Sequence, residues 1–360
     1  MTQIINTDLT SLSRRSIMQA SIGAIGLIST PLWAKSQRKI STLADTSDTL
    51  GVSSTIEFAP LLDTQLVKNW QDKAATVNIS HEFSTALLRK AKMYPVVKRY
   101  MNPAPAGTPK NWAAYKARFT DKLRVRKGRQ FISQYATTFA AADAKYGVPS
   151  AIIAAIIGVE TLYGTYRGNF KLIDVLSTLA FDYPRRAEYF QDELLAFMQL
   201  VHTNTLDEDI RGSFAGALGL PQFMPSSLQK WGVSASNAQR IDLANSPEDA
   251  IMSVASFLAG HGWQRNLPVA FEADGIDESN AGAWLRSDAT PVYNYASIAP
   301  FATFLPTQLP DNTQFAVVDL QYLDLSHDYL LTTQNFHSLM QYNRSFFYAS
   351  AVWYLSKLLG

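Results

Sequence analysis

One carboxyl group stands out by its surroundings. Residues 146–167 read YGVPSAIIAAIIGVETLYGTYR, and between Lys145 and Arg167 the one acid or base of ordinary pKa is Glu160. Ile152, Ile153, Ile156, Ile157 and Val159 leave little polar face, so the helix they predict is buried nearly all round. Pro149 and Ser150 suit its first turn. Burial disfavours the charged form of a carboxyl group and raises its pKa. A carboxyl that stays protonated near neutral pH can act as a general acid. Taken alone, the segment also fits a glutamate that ends its helix by turning to solvent or pairing with an arginine.

A second stretch supplies what such an acid needs around it. Residues 212–229 read GSFAGALGLPQFMPSSLQ, with no charge between Arg211 and Lys230. Gly212, Gly216 and Gly219 permit close backbone approach. Ser213, Gln222, Ser226 and Ser227 offer uncharged donors and acceptors. That chemistry suits a neutral ligand rich in hydroxyl and amide groups, such as an amino sugar. Tight helix packing around small residues is the other reading of this run.

The remaining composition narrows the alternatives. The chain has 360 residues, 47% hydrophobic and 17% charged, which provides for a sizeable core and excludes wholesale disorder. It has no cysteine, which excludes disulfides, thiolate metal sites and a cysteine nucleophile. His81-Glu82 begins a zinc-hydrolase motif, but Thr85 stands where its second histidine belongs. The formal charge of +2 argues against a nucleic-acid binder. It hides a contrast: 81–135 holds thirteen Lys or Arg against Glu82 and Asp121, whereas 265–330 holds nine acids against Arg265 and Arg286.

The elements that must position these residues divide as follows. Residues 1–34 read as an export signal of twin-arginine type, with Arg14-Arg15 before an apolar run that ends near Ala34. A membrane anchor is the alternative, but the run is short for a span. Residues 35–58 are polar and read as a flexible linker. Residues 59–264 show helical periodicity, as in Phe131, Tyr135, Phe139 and Ala142. Residues 265–330 form a small, partly β insertion, with a strand predicted over 314–322. Residues 331–360 return as a C-terminal segment and helix.

Several ordered runs together resemble the lytic murein transglycosylase B family. They are Ile156-Ile-Gly-Val-Glu-Thr161, Tyr183-Pro-Arg-Arg-Ala-Glu-Tyr-Phe190, Gly212-Ser-Phe-Ala-Gly-Ala217, Gln222-Phe-Met-Pro-Ser-Ser227, His261-Gly-Trp263 and Tyr342-Asn-Arg-Ser345. The resemblance spans roughly 60–358. It implies a mainly α fold: a lysozyme-like helical core, an additional α-helical region and a small inserted β region. It also implies cleavage of the β-1,4 bond between N-acetylmuramic acid and N-acetylglucosamine in peptidoglycan. The family's catalytic acid falls on Glu160, and its groove residues fall on Tyr115, Ser213, Gln222, Tyr342, Asn343 and Tyr348. Arg185 and Arg186 match the pair near the stem-peptide carboxylates.

Two departures carry expectations of their own. The family's calcium loop corresponds to 234–249, SASNAQRIDLANSPED, where Ser234 and Ala238 replace expected acidic ligands and Asp242 and Asp249 are the Asp residues left. Calcium prefers several charged oxygens, so calcium binding is expected to be weak or absent, and no metal or organic cofactor is expected. Phe257 stands where the family usually has tyrosine, removing one groove hydroxyl.

Most glycosidases use two carboxylates. Neither 146–166 nor 212–229 contains a second one, which fits a single acid/base that closes a 1,6-anhydro ring. A muramidase that admits water and a non-catalytic peptidoglycan-binding protein are the rival readings. The expected partners are glycan strands with their stem peptides and other cell-wall synthesis or degradation proteins. The expected location is the periplasm, soluble after signal cleavage, without a lipoprotein anchor because cysteine is lacking.

Overall fold

A computed structural model describes residues 55–102, 107–301 and 309–360. The export signal and most of the 35–58 linker lie outside the described residues. The chain is mainly α, as expected.

The first helices are α1 (Gln65–Ala75), α2 (His81–Lys90), α3 (Pro95–Tyr100), α4 (Trp112–Phe119), α5 (Lys122–Gln134) and α6 (Ala136–Tyr146). Side-chain caps start several of them. Ser80 accepts from the Phe83 N–H, Asn111 from Ala114 and Asp121 from Arg124. The next are α7 (Ser150–Thr161), α8 (Leu172–Asp182), α9 (Ala187–His202), α10 (Pro225–Trp231) and α11 (Pro247–Gly260). The last are α12 (Tyr295–Ile298), α13 (Gln334–Tyr342) and α14 (Phe346–Leu359).

Helix α7 is the buried axis. Its residues Ile152 to Val159 are all shielded from solvent, because α5, α6, α11 and α14 surround it. An apolar helix without a polar face has no other stable position in water. Among the described residues no single helix is long and apolar enough to cross a membrane.

Two small ladders pair β1 (Ile56–Glu57) with β2 (Lys92–Met93), and β3 (Phe170–Lys171) with β4 (Arg211–Gly212), both antiparallel. The acidic region builds a four-stranded antiparallel sheet from β5 (Ala270–Glu272), β6 (Tyr293–Asn294), β7 (Gln314–Gln321) and β8 (His327–Thr332), in the order β5-β8-β7-β6. Strand β7 has an apolar residue on both faces because the sheet separates two cores. Val318 and Leu320 join the main core, whereas Phe315 and Val317 join a smaller one with Ile276, Ile298 and Leu331.

Candidate active site

Glu160 lies in the last turn of α7, partly open to solvent at the edge of the core. Burial raises its pKa to about 7, and the Tyr348 hydroxyl directed at it works against that shift. No cationic group enters the balance. The protonated acid therefore persists near neutrality because the surroundings are apolar.

The backbone after Glu160 is unusual. Leu162, Tyr163 and Gly164 all have positive φ, at 51°, 56° and 82°. Two successive non-glycine residues in the left-handed region store strain that their surroundings must hold. Thr161, fully buried, does part of that work. Its hydroxyl donates to the Leu220 carbonyl at 2.9 Å and accepts the Gly164 N–H at 3.0 Å. The Tyr163 ring turns back beneath α7. A side chain at Gly158 would bring its Cβ within 2.5 Å of the Tyr163 hydroxyl, and one at Gly128 within 2.2 Å. Arg124 donates to the Gly158 carbonyl at 2.9 Å, fixing the same helix end from α5.

Loop 212–224 is stitched to itself and to its neighbours. Leu218 and Phe223 exchange backbone hydrogen bonds at 2.7 and 3.1 Å, and the Leu220 N–H donates to Leu243 at 2.8 Å. Gly219, at φ +66°, is obligatory, since a Cβ would lie 2.2 Å from the Leu243 carbonyl oxygen. Beyond the loop, Glu193 accepts from the Ser226 N–H at 2.9 Å and its hydroxyl at 2.7 Å, anchoring the start of α10.

An aromatic wall faces this loop. Tyr342 and Tyr348 stack with centroids 6.2 Å apart and planes at 12°. The Tyr342 hydroxyl donates to the Pro221 carbonyl at 2.5 Å. Phe257 packs edge-on against Tyr342 at 4.8 Å, with Phe223 and His261 behind it. Both tyrosines lie close enough to Glu160 for a carboxylate there to raise their pKa. Glu160, Tyr342, Tyr348 and Phe257 thus converge.

The other expected residues separate into roles. Gln222, at φ +53°, donates to the Gly219 carbonyl at 2.9 Å, while its Oε1 is buried and without a hydrogen bond. Tyr115 is buried among Trp112, Phe119 and Phe347, next to Tyr348. Asn343 ends α13, and its carbonyl accepts from Ser345 at 2.7 Å. Ser213 is fully buried, and its Oγ accepts the Ala215 and Ala217 N–H groups at 3.3 and 3.0 Å. Its side chain organises the loop from inside. Arg185 is exposed, and the Arg186 guanidinium sits 4.0 Å over the Tyr189 ring. No described contact joins the arginine pair to Glu160.

Read from the sequence, Thr161 and Glu193 have no individual role. Glu193 was detectable, because Phe190, Leu194 and Phe197 make position 193 part of the buried stripe of α9. The Thr161 bond left no signal, since its partner Leu220 is 59 residues away.

The 234–249 loop offers a calcium ion only two acidic side chains, Asp242 and Asp249, besides Glu248 at the start of α11. Both oxygens of Asp249 accept backbone N–H groups, from Ala235 at 2.9 Å and Asp242 at 2.8 Å. Asp242 Oδ1 accepts from Ala244 and Asn245. Ser234 accepts from Ala238. These bonds tie both acids into the loop, and among the described residues no group of three or more acidic or histidine side chains could hold a metal ion.

The helical core, with an aromatic wall beside Glu160, is that of the lysozyme-like lytic transglycosylases, which are lyases. The chain belongs to the family described as "Transglycosylase SLT domain", whose model matches residues 63–357. It is 36% identical over 283 residues to membrane-bound lytic murein transglycosylase B of Escherichia coli strain K12, covering 76% of each chain. The structure of soluble lytic transglycosylase SltB1 from Pseudomonas aeruginosa matches with a TM-score of 0.73 at 33% identity, over 82% of this chain and 98% of that one. SltB3 from the same organism, in complex with NAG-NAM-pentapeptide, matches with a TM-score of 0.68 at 26% identity, over 81% and 78%.

Proposed function

We propose that this enzyme cleaves the β-1,4 bond between N-acetylmuramic acid and N-acetylglucosamine in peptidoglycan, with Glu160 as its single acid and base. The observation that carries this reading is a lone carboxyl with a pKa near 7 beside stacked tyrosines. Kinship with a murein transglycosylase and with a protein crystallised with a muropeptide supports the substrate.

In the first half-reaction, protonated Glu160 donates to the glycosidic oxygen as the bond to C1 breaks. The muramyl N-acetyl group stabilises the cationic centre, and Gln222, held in the loop by its bond to the Gly219 carbonyl, orients that group. In the second half, the Glu160 carboxylate takes the proton of the C6 hydroxyl as O6 attacks C1. A 1,6-anhydro ring closes and the acid is restored. Tethered attack needs little further machinery. Tyr348 and Tyr342 hold the carboxyl and the sugar face. Arg185 and Arg186 receive stem-peptide carboxylates. The signal read at 11–34 supports export to the periplasm.

The test is a digest of purified sacculi analysed by mass spectrometry. Anhydro-muramyl ends are expected. Reducing ends would make the enzyme a muramidase instead, and binding without release of muropeptides would make it a binding protein.

A further inference from the structure

The basic stretch 81–135 remains unexplained by the site. Some of its charges are paired within the fold. Lys90 meets Glu208, Lys98 meets Asp182, and Arg124 meets Asp121. One face of helix α5 is different. Lys122, Arg126 and Arg129 lie at i, i+4 and i+7, all exposed on one face. Like charges at this spacing repel one another. Among the described residues, neither Lys122 nor Arg126 has an ion pair or a hydrogen bond through its side chain. Asp121, the acid nearest in sequence, is occupied as the cap of α5 and the partner of Arg124.

These three side chains share a depression. It is lined by Thr120, Lys122, Val125, Arg126, Arg129 and Leu358, with a volume of about 510 Å³. Arg129 is oriented by donating to the Leu358 carbonyl at 2.8 Å, which ties this face to the end of α14. Leu358, 41% exposed, and Val125 add apolar surface to the lining. Lys116, over the Tyr354 ring at 3.6 Å, and Lys357, over Trp353 at 4.6 Å, extend the positive charge along α14. The depression is shallow and mostly apolar, has room for a peptide side chain, and offers a carboxylate the donors of Lys122, Arg126 and Arg129.

We infer that the depression between α5 and α14 is a second peptidoglycan contact, which takes the carboxylates of a stem peptide outside the catalytic recess. The inference rests on the substrate proposed above. Charge complementarity selects the occupant: three convergent cations without counter-charges, beside apolar rim groups, match an anionic peptide with short apolar side chains. Since α5 also grips the end of α7 through Arg124 and Gly158, the contact stands one helix from Glu160. It would hold the enzyme on the polymer between cleavage events.

The experiment compares the wild-type chain with Lys122→Glu/Arg126→Glu/Arg129→Glu. A milder Lys122→Gln/Arg126→Gln variant retains the Arg129–Leu358 bond. Binding to sacculi is measured by co-sedimentation across a salt series, and turnover is measured separately on a short soluble muropeptide. The expected result is an about tenfold loss of sacculus binding at low salt in the triple variant, and a smaller loss in the double. Soluble turnover stays within about twofold of wild type, because no substrate-recess residue is altered. Amidating the sacculus carboxylates lowers wild-type binding by at least that factor, since it also removes the partners of Arg185 and Arg186. Unchanged sacculus binding in both variants overturns the inference, as does wild-type binding indifferent to amidation. Loss of binding to phosphatidylglycerol vesicles alone, with sacculus binding intact, also overturns it and assigns the face to a membrane. Failure of the wild-type enzyme to turn over the soluble muropeptide tests the catalytic reading and not this surface.

Discussion

The Thr161 hydroxyl bridges 2.9 Å to the Leu220 carbonyl, joining the helix end that carries Glu160 to the loop opposite it. Thr161→Val keeps the shape and leaves that carbonyl without its buried partner, which costs about 1–3 kcal/mol. Stability should fall by that amount in urea unfolding. The drop in kcat, about tenfold, should exceed any change in KM, since the bond sets the direction of the acid and not the sugar contacts.

Glu160→Gln should abolish muropeptide release. The same variant carries a stability signature with a definite sign. The folded-state pKa of about 7 lies above the ordinary value of 4.5, so folding favours the protonated form. The native state pays to keep the carboxylate once pH rises between those values. Glu160→Gln should therefore be as stable as wild type near pH 4 and more stable by roughly 1–3 kcal/mol at pH 8–9. Thermal melts at the two pH values check this.

For the wild type, kcat/KM should fall above pH 7, by about tenfold per unit once the acid is deprotonated. Tyr348 favours the carboxylate. Tyr348→Phe should therefore move this alkaline limb to higher pH while lowering the maximal rate. A limb that moves to lower pH would contradict the assigned interaction.

Calcium should leave the enzyme indifferent. Addition of the ion or of a chelator should shift Tm by less than about 1 °C, since a ligand stabilises only what it binds. Asp249→Ala should behave otherwise. It removes a buried acceptor of two backbone N–H groups and should cost roughly 2–3 kcal/mol.

Legibility in the sequence followed the range of the interactions. Glu160 could be found because burial of α7 is written in consecutive apolar residues, and the helical fold because apolar spacing is local. Strand β7 was visible as a run of apolar residues, but the division of its two faces between separate cores depends on elements distant in the chain. Ser213 was read as a possible ligand group because a hydroxyl in a glycine-rich loop has the right chemistry. Only the folded loop turns it inward to meet Ala215 and Ala217. The reduced acidity of 234–249 was plain from composition, whereas the internal donors that occupy Asp249 required the loop's path.

The Tyr163 hydroxyl fills the space where side chains at Gly128 and Gly158 would stand. These three positions therefore form one unit of inheritance. An alanine at 128 or 158 meets the ring, and a smaller residue at 163 leaves a void under α7. Drift at any one of them is open only through a paired change at another. Directed evolution of this enzyme should recover replacements there as compensated doubles and seldom as singles.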